Sequence, residues 1–153
     1  MPIASTASDK AFVDTNVFAY AEDRRETLKR PLALALIRRL TDEDRMVVST
    51  QVINEFCAVL LRGKVGSVTN EADLTALIAE VEAAADVIVI TTAISREAAR
   101  AVYAYSISWY DALIWAAAKS AGCTTLYTED IPGSPEIEGV RYVDPFTPGG
   151  ETR

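Results

Sequence analysis

The apolar positions of this chain alternate between short runs and longer periodic stretches. Ala11-Phe-Val-Asp14 is a brief apolar run ending in an acid. It predicts a buried strand with Asp14 at its carboxyl end. Thr15 to Ala21 follow as a helical or irregular segment. Between Arg24 and Asp42, the residues Ala33, Leu36, Ile37 and Leu40 repeat at the spacing of an amphipathic helix. Pro31 suits the first turn of that helix, where a missing N–H costs nothing. Met46 to Ser49 predict a second strand. Thr50 then opens a helix with Ile53, Phe56, Cys57 and Leu60 on its apolar side, closed by Gly63 and Gly66. Asn70, with Asp73 three residues on, resembles a capping box. Leu74, Leu77, Ile78 and Val81 then carry the helical period.

The continuous β-branched run Val87 to Ile90 predicts a third buried strand. Thr91 or Thr92 caps the next helix, which turns Ile94, Ala98, Ala101, Val102 and Tyr105 inward. Ser108, with Asp111 three residues later, starts another helix that runs to Ala121, with Gly122 beyond its end. Cys123 to Tyr127 form the fourth strand, and Arg141 to Val143 make a short fifth. Ile131 to Gly139 read as a Pro/Gly loop. Strands alternating with helices imply an α/β fold: three layers, α/β/α, around a central parallel sheet of four or five strands. The expected organisation is an N-terminal extension over 1–10, one domain over 11–146, and a loose tail over 147–153.

Composition narrows the chemistry. The chain has 153 residues, enough for one domain with a substantial core. It carries 22 acids against 15 bases, a net charge of −7, which disfavours a clamp that holds nucleic acid by bulk charge. There is no histidine, so the Ser-His-Asp triad, the Cys-His pair and the usual zinc sets are excluded. The two cysteines, Cys57 and Cys123, sit in apolar surroundings and read as buried thiols. No apolar run has the length of a membrane span, and the start lacks the pattern of a signal peptide. A cytoplasmic, reducing compartment is expected. Neither a Gly-x-Gly-x-x-Gly turn nor a phosphate-binding Walker loop is present.

In open α/β sheets, sites form beyond the carboxyl ends of the strands, where strand order reverses. Asp14 ends the first strand, and Thr128, Glu129 and Asp130 follow the fourth. Asp111 lies in the first turn of the helix feeding the fourth strand, and Glu55 lies in the helix after the second. Each has an ordinary structural role open to it: Asp14 and Asn16 as turn residues, Asp111 as a helix cap, Glu55 as a half-solvated edge residue. The aromatics before Asp111 and the apolar run after it place that acid in a buried helix start. If these carboxylates converge without histidine, the site suits a hard cation such as Mg²⁺ or Mn²⁺. Phosphodiester hydrolysis is the natural use of such a site. Six of the fifteen bases fall between Arg24 and Arg39. They form either a solvated helix face or a surface that contacts phosphates.

Four segments together resemble the PIN domain family, and in particular its VapC-type ribonuclease toxins. They are Phe12-Val-Asp-Thr-Asn-Val-Phe18, Ser49-Thr-Gln-Val-Ile-Asn-Glu-Phe56, the stretch from Ser108 to Ala118, and Gly122-Cys-Thr-Thr-Leu-Tyr-Thr-Glu-Asp130. The resemblance spans about residues 10 to 146. It implies that Asp14, Glu55, Asp111 and Asp130 are the acidic site, with Asn16 and Thr128 supporting it. It implies Mg²⁺ or Mn²⁺ held mainly by Asp14 and Asp111, with Glu55 and Asp130 acting through waters or a second metal. It further implies an RNA substrate attacked by water, a homodimer, and a neutralising antitoxin protein. The first strand starts about ten residues later than in a typical toxin, and the loop after Asp130 is unusually rich in Pro and Gly.

Two other readings remain at this level. One is a PIN-like module that binds RNA or a partner without cutting it. The other is a Rossmann-like acyl or phosphoryl enzyme or a phosphoacceptor domain, with Asp14 the modified group in the latter. A phosphoacceptor normally has a second acid near the first strand and a late lysine; the only lysine after residue 64 is Lys119.

Overall fold

The structure is a computed structural model that describes residues 9–63, 65–66 and 68–149. Its elements run β1 (Ala11–Val13), α1 (Thr15–Glu22), α2 (Lys29–Asp42), β2 (Met46–Ser49), α3 (Thr50–Leu61) and α4 (Glu71–Ala84). They continue with β3 (Asp86–Ile88), α5 (Thr92–Tyr105), α6 (Trp109–Ser120), β4 (Thr125–Tyr127), β5 (Glu136–Ile137) and β6 (Val140–Val143). The sheet order is β3-β2-β1-β4-β6-β5. All neighbours pair in parallel except β5, which lies antiparallel to β6.

The chain builds β1, β2 and β3 towards one edge and then returns to lay β4 on the other side of β1. The strand order therefore reverses between β1 and β4, which opens a crevice at their carboxyl ends. Residues Ala11 to Val13 are fully buried because β1 is flanked on both edges and helices flank the sheet. On one side α1 packs with α2 and α3, and α5 packs extensively along α6. Helix α6 is buried continuously from Ala112 to Ala118. Trp115 sits within it, fully buried, and its indole N–H donates to the Ile137 carbonyl at 3.1 Å.

The caps follow the sequence. Ser49, Asn70, Thr91 and Ser108 each accept a backbone N–H at the start of a helix. The 15–21 segment is helical, and Pro31 lies in the first turn of α2. Gly122, at φ 72°, follows α6 in the left-handed conformation that glycine adopts without strain.

Several local expectations need correction. The fourth strand begins at Thr125 rather than Cys123, and Tyr105 at the end of α5 is exposed rather than turned inward. The third strand covers Asp86–Ile88 rather than residues 87–90, and it is only half-buried. It is an edge strand with one neighbour, so the β-branched run meets solvent: Val89 is 64% exposed, and the Ile90 N–H bonds to the Thr50 hydroxyl instead of a strand. The expected 131–139 loop contains β5, so the sheet has six strands. Glu138 and Gly139 make the turn, with φ of 47° and 84°; two residues of positive φ are what a tight hairpin requires. Cys123 is buried as expected, but Cys57 is only half-buried.

At the amino end, Asp9 and Lys10 are tied to the sheet: the Arg45 guanidinium donates to the Asp9 carbonyl, and Thr124 donates to that of Lys10. The rest of the expected extension, residues 1–8, lies outside the described residues. At the other end, Thr147 donates to the Asp144 carbonyl at 3.2 Å. Residues 150–153 lie outside the described residues. Among the described residues, no helix is long and apolar enough to cross a membrane.

On the surface of the α5–α6 layer, Glu97 accepts from Arg100 at 2.6 Å and from Lys119 at 2.9 Å. Those two cations, Arg100 first, hold the Glu97 carboxyl down to about 2. A depressed carboxyl contributes stability above its unfolded value, and that contribution disappears as pH falls through the folded value. Glu97→Gln should therefore lower the melting temperature slightly at pH 7, by less than about 1 kcal/mol of stability for so exposed a cluster. The gap to wild type should close as pH approaches 2 in paired thermal melts. A gap of constant size would assign the effect to packing.

Candidate active site

Asp14 follows directly from β1. Its backbone N–H completes the parallel ladder by donating to the Tyr127 carbonyl at 3.0 Å. Its side chain caps α1, because Oδ1 accepts from the Thr15 N–H at 2.7 Å. Oδ2 accepts from the Thr128 hydroxyl at 2.9 Å. The residue is 8% exposed. Burial, opposed by those two hydrogen bonds and reinforced by the charges of Glu55 and Asp111, pushes the Asp14 carboxyl up to about 6.

Thr128 stands at the end of β4, fully inside the molecule. Its single hydroxyl is fully used. It donates to Asp14, and it accepts from the Asn16 amide at 3.3 Å and the Asp130 N–H at 3.0 Å. Asn16 therefore supports Asp14 through Thr128 and not by direct contact. Asp130 lies beyond this knot at the rim. Burial and the charges of Asp111 and Glu129 raise its carboxyl above the ordinary range, while the Asn16 amide pulls the other way.

Glu55 reaches the same space from α3. It accepts from the Thr15 hydroxyl at 2.8 Å and from the Gln51 amide at 2.9 Å. Of the two positions open to it from the sequence, half-solvated or turned into a cleft, it occupies both. Asp111 comes from the first turn of α6. Ser108 caps that helix through the Asp111 N–H at 3.2 Å, but the Asp111 carboxylate makes no hydrogen bond among the described residues. The helix start is not buried as expected: Trp109, Tyr110 and Asp111 are exposed, and burial begins at Ala112. The first turn projects beyond the sheet, so its aromatics meet solvent.

Asp14, Glu55, Asp111 and Asp130 thus line one cleft of about 350 Å³, together with Thr15, Asn16, Tyr20, Gln51 and Tyr110. No lysine or arginine is among its described lining residues. Of the six clustered bases, Arg25 clasps Asp23, Lys29 pairs with Glu129, Arg30 bonds the Ala21 carbonyl, and Arg39 bonds the Tyr127 hydroxyl. These four hold the fold together around the cleft. Lys119, the late lysine a phosphoacceptor would need, pairs with Glu97 and Glu138 instead.

Sequence reasoning missed several participants. Thr15 and Gln51 hold Glu55, and neither announces that role by spacing alone. Asp144, just past β6, adds its charge to the neighbourhood of Asp130. The rule that singled out Asp14, an acid directly after a strand, applies equally to Asp144. Tyr20 donates to Glu129, and Lys29 donates to both, closing the rim on that side. The buried Tyr142 hydroxyl has no hydrogen-bond partner among the described residues, and the charges of Asp111 and Asp14 both act on it.

The donor set suits a hard cation. Besides the carboxylates, the side-chain carbonyl oxygens of Asn16 and Gln51, both lining residues, are buried without partners among the described residues. Among the described residues, no three carboxylates are set to hold an ion by themselves. That is compatible with Mg²⁺, which is commonly held by one or two carboxylates and keeps several waters.

Several solved structures share this fold, two of which illustrate it. One is a toxin–antitoxin complex from Klebsiella pneumoniae, 18% identical, with a TM-score of 0.60, covering 90% of this chain and 98% of that one. The other is VapC20 of Mycobacterium tuberculosis, described as a sarcin–ricin loop cleaving toxin, 19% identical, with a TM-score of 0.56, covering 79% of this chain and 92% of that one. No curated protein matches the chain. The model of the PIN domain matches residues 11–131, most of the chain, from β1 through the loop after β4. The chain belongs to the PIN domain family.

Proposed function

We propose that the chain is a divalent-metal-dependent endoribonuclease, the toxin of a type II toxin–antitoxin pair. The observation that carries this reading is the convergence of four carboxylates from four separate segments on one cleft that no base lines. Fold likeness to a chain of a toxin–antitoxin complex and to a sarcin–ricin loop cleaving toxin supports an antitoxin partner and an RNA substrate. A homodimer is part of the same reading.

In this reading Asp14 and Asp111 hold Mg²⁺ or Mn²⁺, with Glu55 and Asp130 completing the pocket. When bound, the ion supplies the positive charge that stabilises a phosphodiester during in-line displacement by water. The chain's own part is to fix where that charge sits. Thr128 and the Thr15 N–H aim the two oxygens of Asp14. Thr15 and Gln51 hold Glu55 across the cleft, where it accepts the proton of an attacking water. The Asp111 carboxylate, which accepts no hydrogen bond among the described residues, would be free to turn towards the ion.

The first test is cleavage of a mixed pool of structured RNA by purified protein with Mg²⁺ or Mn²⁺. Cutting should need the cation, cease with EDTA, and cease in Asp14→Asn, which removes a charge without changing shape. Undiminished cutting by a folded Asp14→Asn protein would remove Asp14 from the mechanism. RNA bound in the presence of metal but left intact would favour the non-cleaving module.

Thr128→Val tests the support of Asp14 separately. It keeps the shape of the side chain but removes the donor to Asp14 and leaves the Asp130 N–H without its acceptor. A fall of about 10- to 100-fold in cleavage is expected, the usual effect of losing a group that orients a metal ligand. The Mg²⁺ concentration for half-maximal activity should rise with it. Cleavage within about twofold of wild type would reduce Thr128 to a packing residue.

A further inference from the structure

We infer that Tyr110 is a base-stacking residue of the cleft, taking the face of an unpaired nucleobase next to the scissile phosphate of a single-stranded RNA segment. The inference rests on the ribonuclease reading and adds to it the form of the substrate and the residue that selects it.

The argument begins with how an acidic cleft can hold a polyanion. The chain carries a net charge of −7, and neither lysine nor arginine is among the described lining residues of the cleft. One divalent ion neutralises part of the local charge but leaves little coulombic attraction for the flanking nucleotides. Affinity beyond the scissile phosphate must come from something other than charge. Base faces supply it, since stacking on an aromatic ring is strong and tolerant of sequence.

Two tyrosines line the cleft, and they differ in one decisive way. Tyr20 is committed: its hydroxyl donates to Glu129, its ring packs edge-on against Phe146, and Lys29 stands 4.5 Å over its face. Tyr110 is 64% exposed, with no ring partner among the described residues. Tyr110 and Asp111 line the same cleft, so a base on that ring lies in the space that one of the proposed ligands also faces. Its backbone is held in place: the Gln51 amide donates to the Tyr110 carbonyl at 3.3 Å and to Glu55 Oε1 at 2.9 Å. One side chain thus ties the position of the ring to the position of the carboxylate.

A base inside a duplex has neighbours on both faces and no face to offer. An unpaired base in a loop or a strand does. The Tyr110 platform therefore selects single-stranded segments.

The test uses the Asp14→Asn protein, so that RNA stays intact, with Mg²⁺ present. The probe is a short fluorescein-labelled RNA, single-stranded or annealed to its complement, read by anisotropy. Adding Tyr110→Ala should weaken binding of the single strand on the order of 10- to 100-fold, the scale of one lost stacking contact. Adding Tyr110→Phe should leave binding within about twofold. The duplex should bind weakly and respond to neither change. In otherwise wild-type protein, Tyr110→Ala should raise KM far more than it lowers kcat. Melting temperature should not move, because the ring is exposed and the Gln51 bond uses the main chain.

Unchanged affinity and KM in Tyr110→Ala, with metal-dependent cutting intact, would overturn the stacking role and leave the ribonuclease reading standing. Conversion of a dimer to a monomer by Tyr110→Ala would also overturn it, by making the ring an interface between two copies of the chain. Absence of both cutting and RNA binding in the unsubstituted protein would overturn the ribonuclease reading and the stacking role together.

Discussion

Asp14 holds a carboxylate where the fold is least able to solvate it. The residue sits at the end of the central strand, with β2 on one side and β4 on the other, and very little of it meets water. Placing a charge there carries a penalty, visible in the elevated carboxyl of Asp14. Two hydrogen bonds offset part of it, and Glu55 and Asp111 across the cleft add to it. A core that is largely apolar around it gains little stability from a charge so placed. The remaining imbalance is of the sign that a cation corrects. The strand order places this carboxylate at the point where the sheet reverses, so the crevice that topology opens is also the place where charge is needed.

Around that carboxylate the acids differ in how firmly they are held. Asp14 is fixed at both oxygens. Glu55 is fixed by Thr15 and Gln51, and Thr15 also donates its backbone N–H to Asp14. The two acids are thereby spaced by one residue that bonds to both. Asp130 is tied through its backbone to the Thr128 hydroxyl, while its side chain faces the cleft. Asp111 is bound only through its own helix. The cleft thus grades from carboxylates held at both oxygens to one held by no side-chain hydrogen bond among the described residues. Thr128 is central to the arrangement because its hydroxyl has one proton and two lone pairs, and all three are used. Neither valine nor alanine offers any of the three bonds.

Most of the fold was legible from periodicity, since the helical spacings and apolar runs each signal a buried face. What periodicity does not carry is position within the sheet. The Val87 to Ile90 run has the composition of a central strand, yet it falls at an edge, because edge and centre differ in neighbours and not in residue type. The β5–β6 hairpin was hidden because a two-residue strand has too little pattern to distinguish from a loop. Asp14 was legible because an acid directly after a buried strand has few other reasons to be there. Glu55 was ambiguous because its role depends on Thr15, forty residues away in the chain. Asp111 was placed in the cleft group, but its surroundings were misjudged. The aromatics before it signalled burial, and in the fold they face solvent.

Two helix starts with the same local pattern separate a structural acid from one left for other work. At α4, Asn70 bonds the Asp73 N–H, and the Asp73 carboxylate accepts in return from the Thr69 N–H, the Thr69 hydroxyl and the Asn70 amide. That acid is spent on its own helix. At α6, Ser108 bonds the Asp111 N–H in the same way, yet the Asp111 carboxylate gives nothing back. Sequence spacing is identical in the two cases, so the local capping preference cannot account for the difference. The difference lies in what each helix start faces. The α6 start faces Asp14 and Glu55, and a carboxylate turned towards two others is unfavourable unless a positive charge is to lie among them. An acid withheld from the cap it could have completed, and turned towards like charges instead, is a stronger mark of a site than its place in the first turn of a helix.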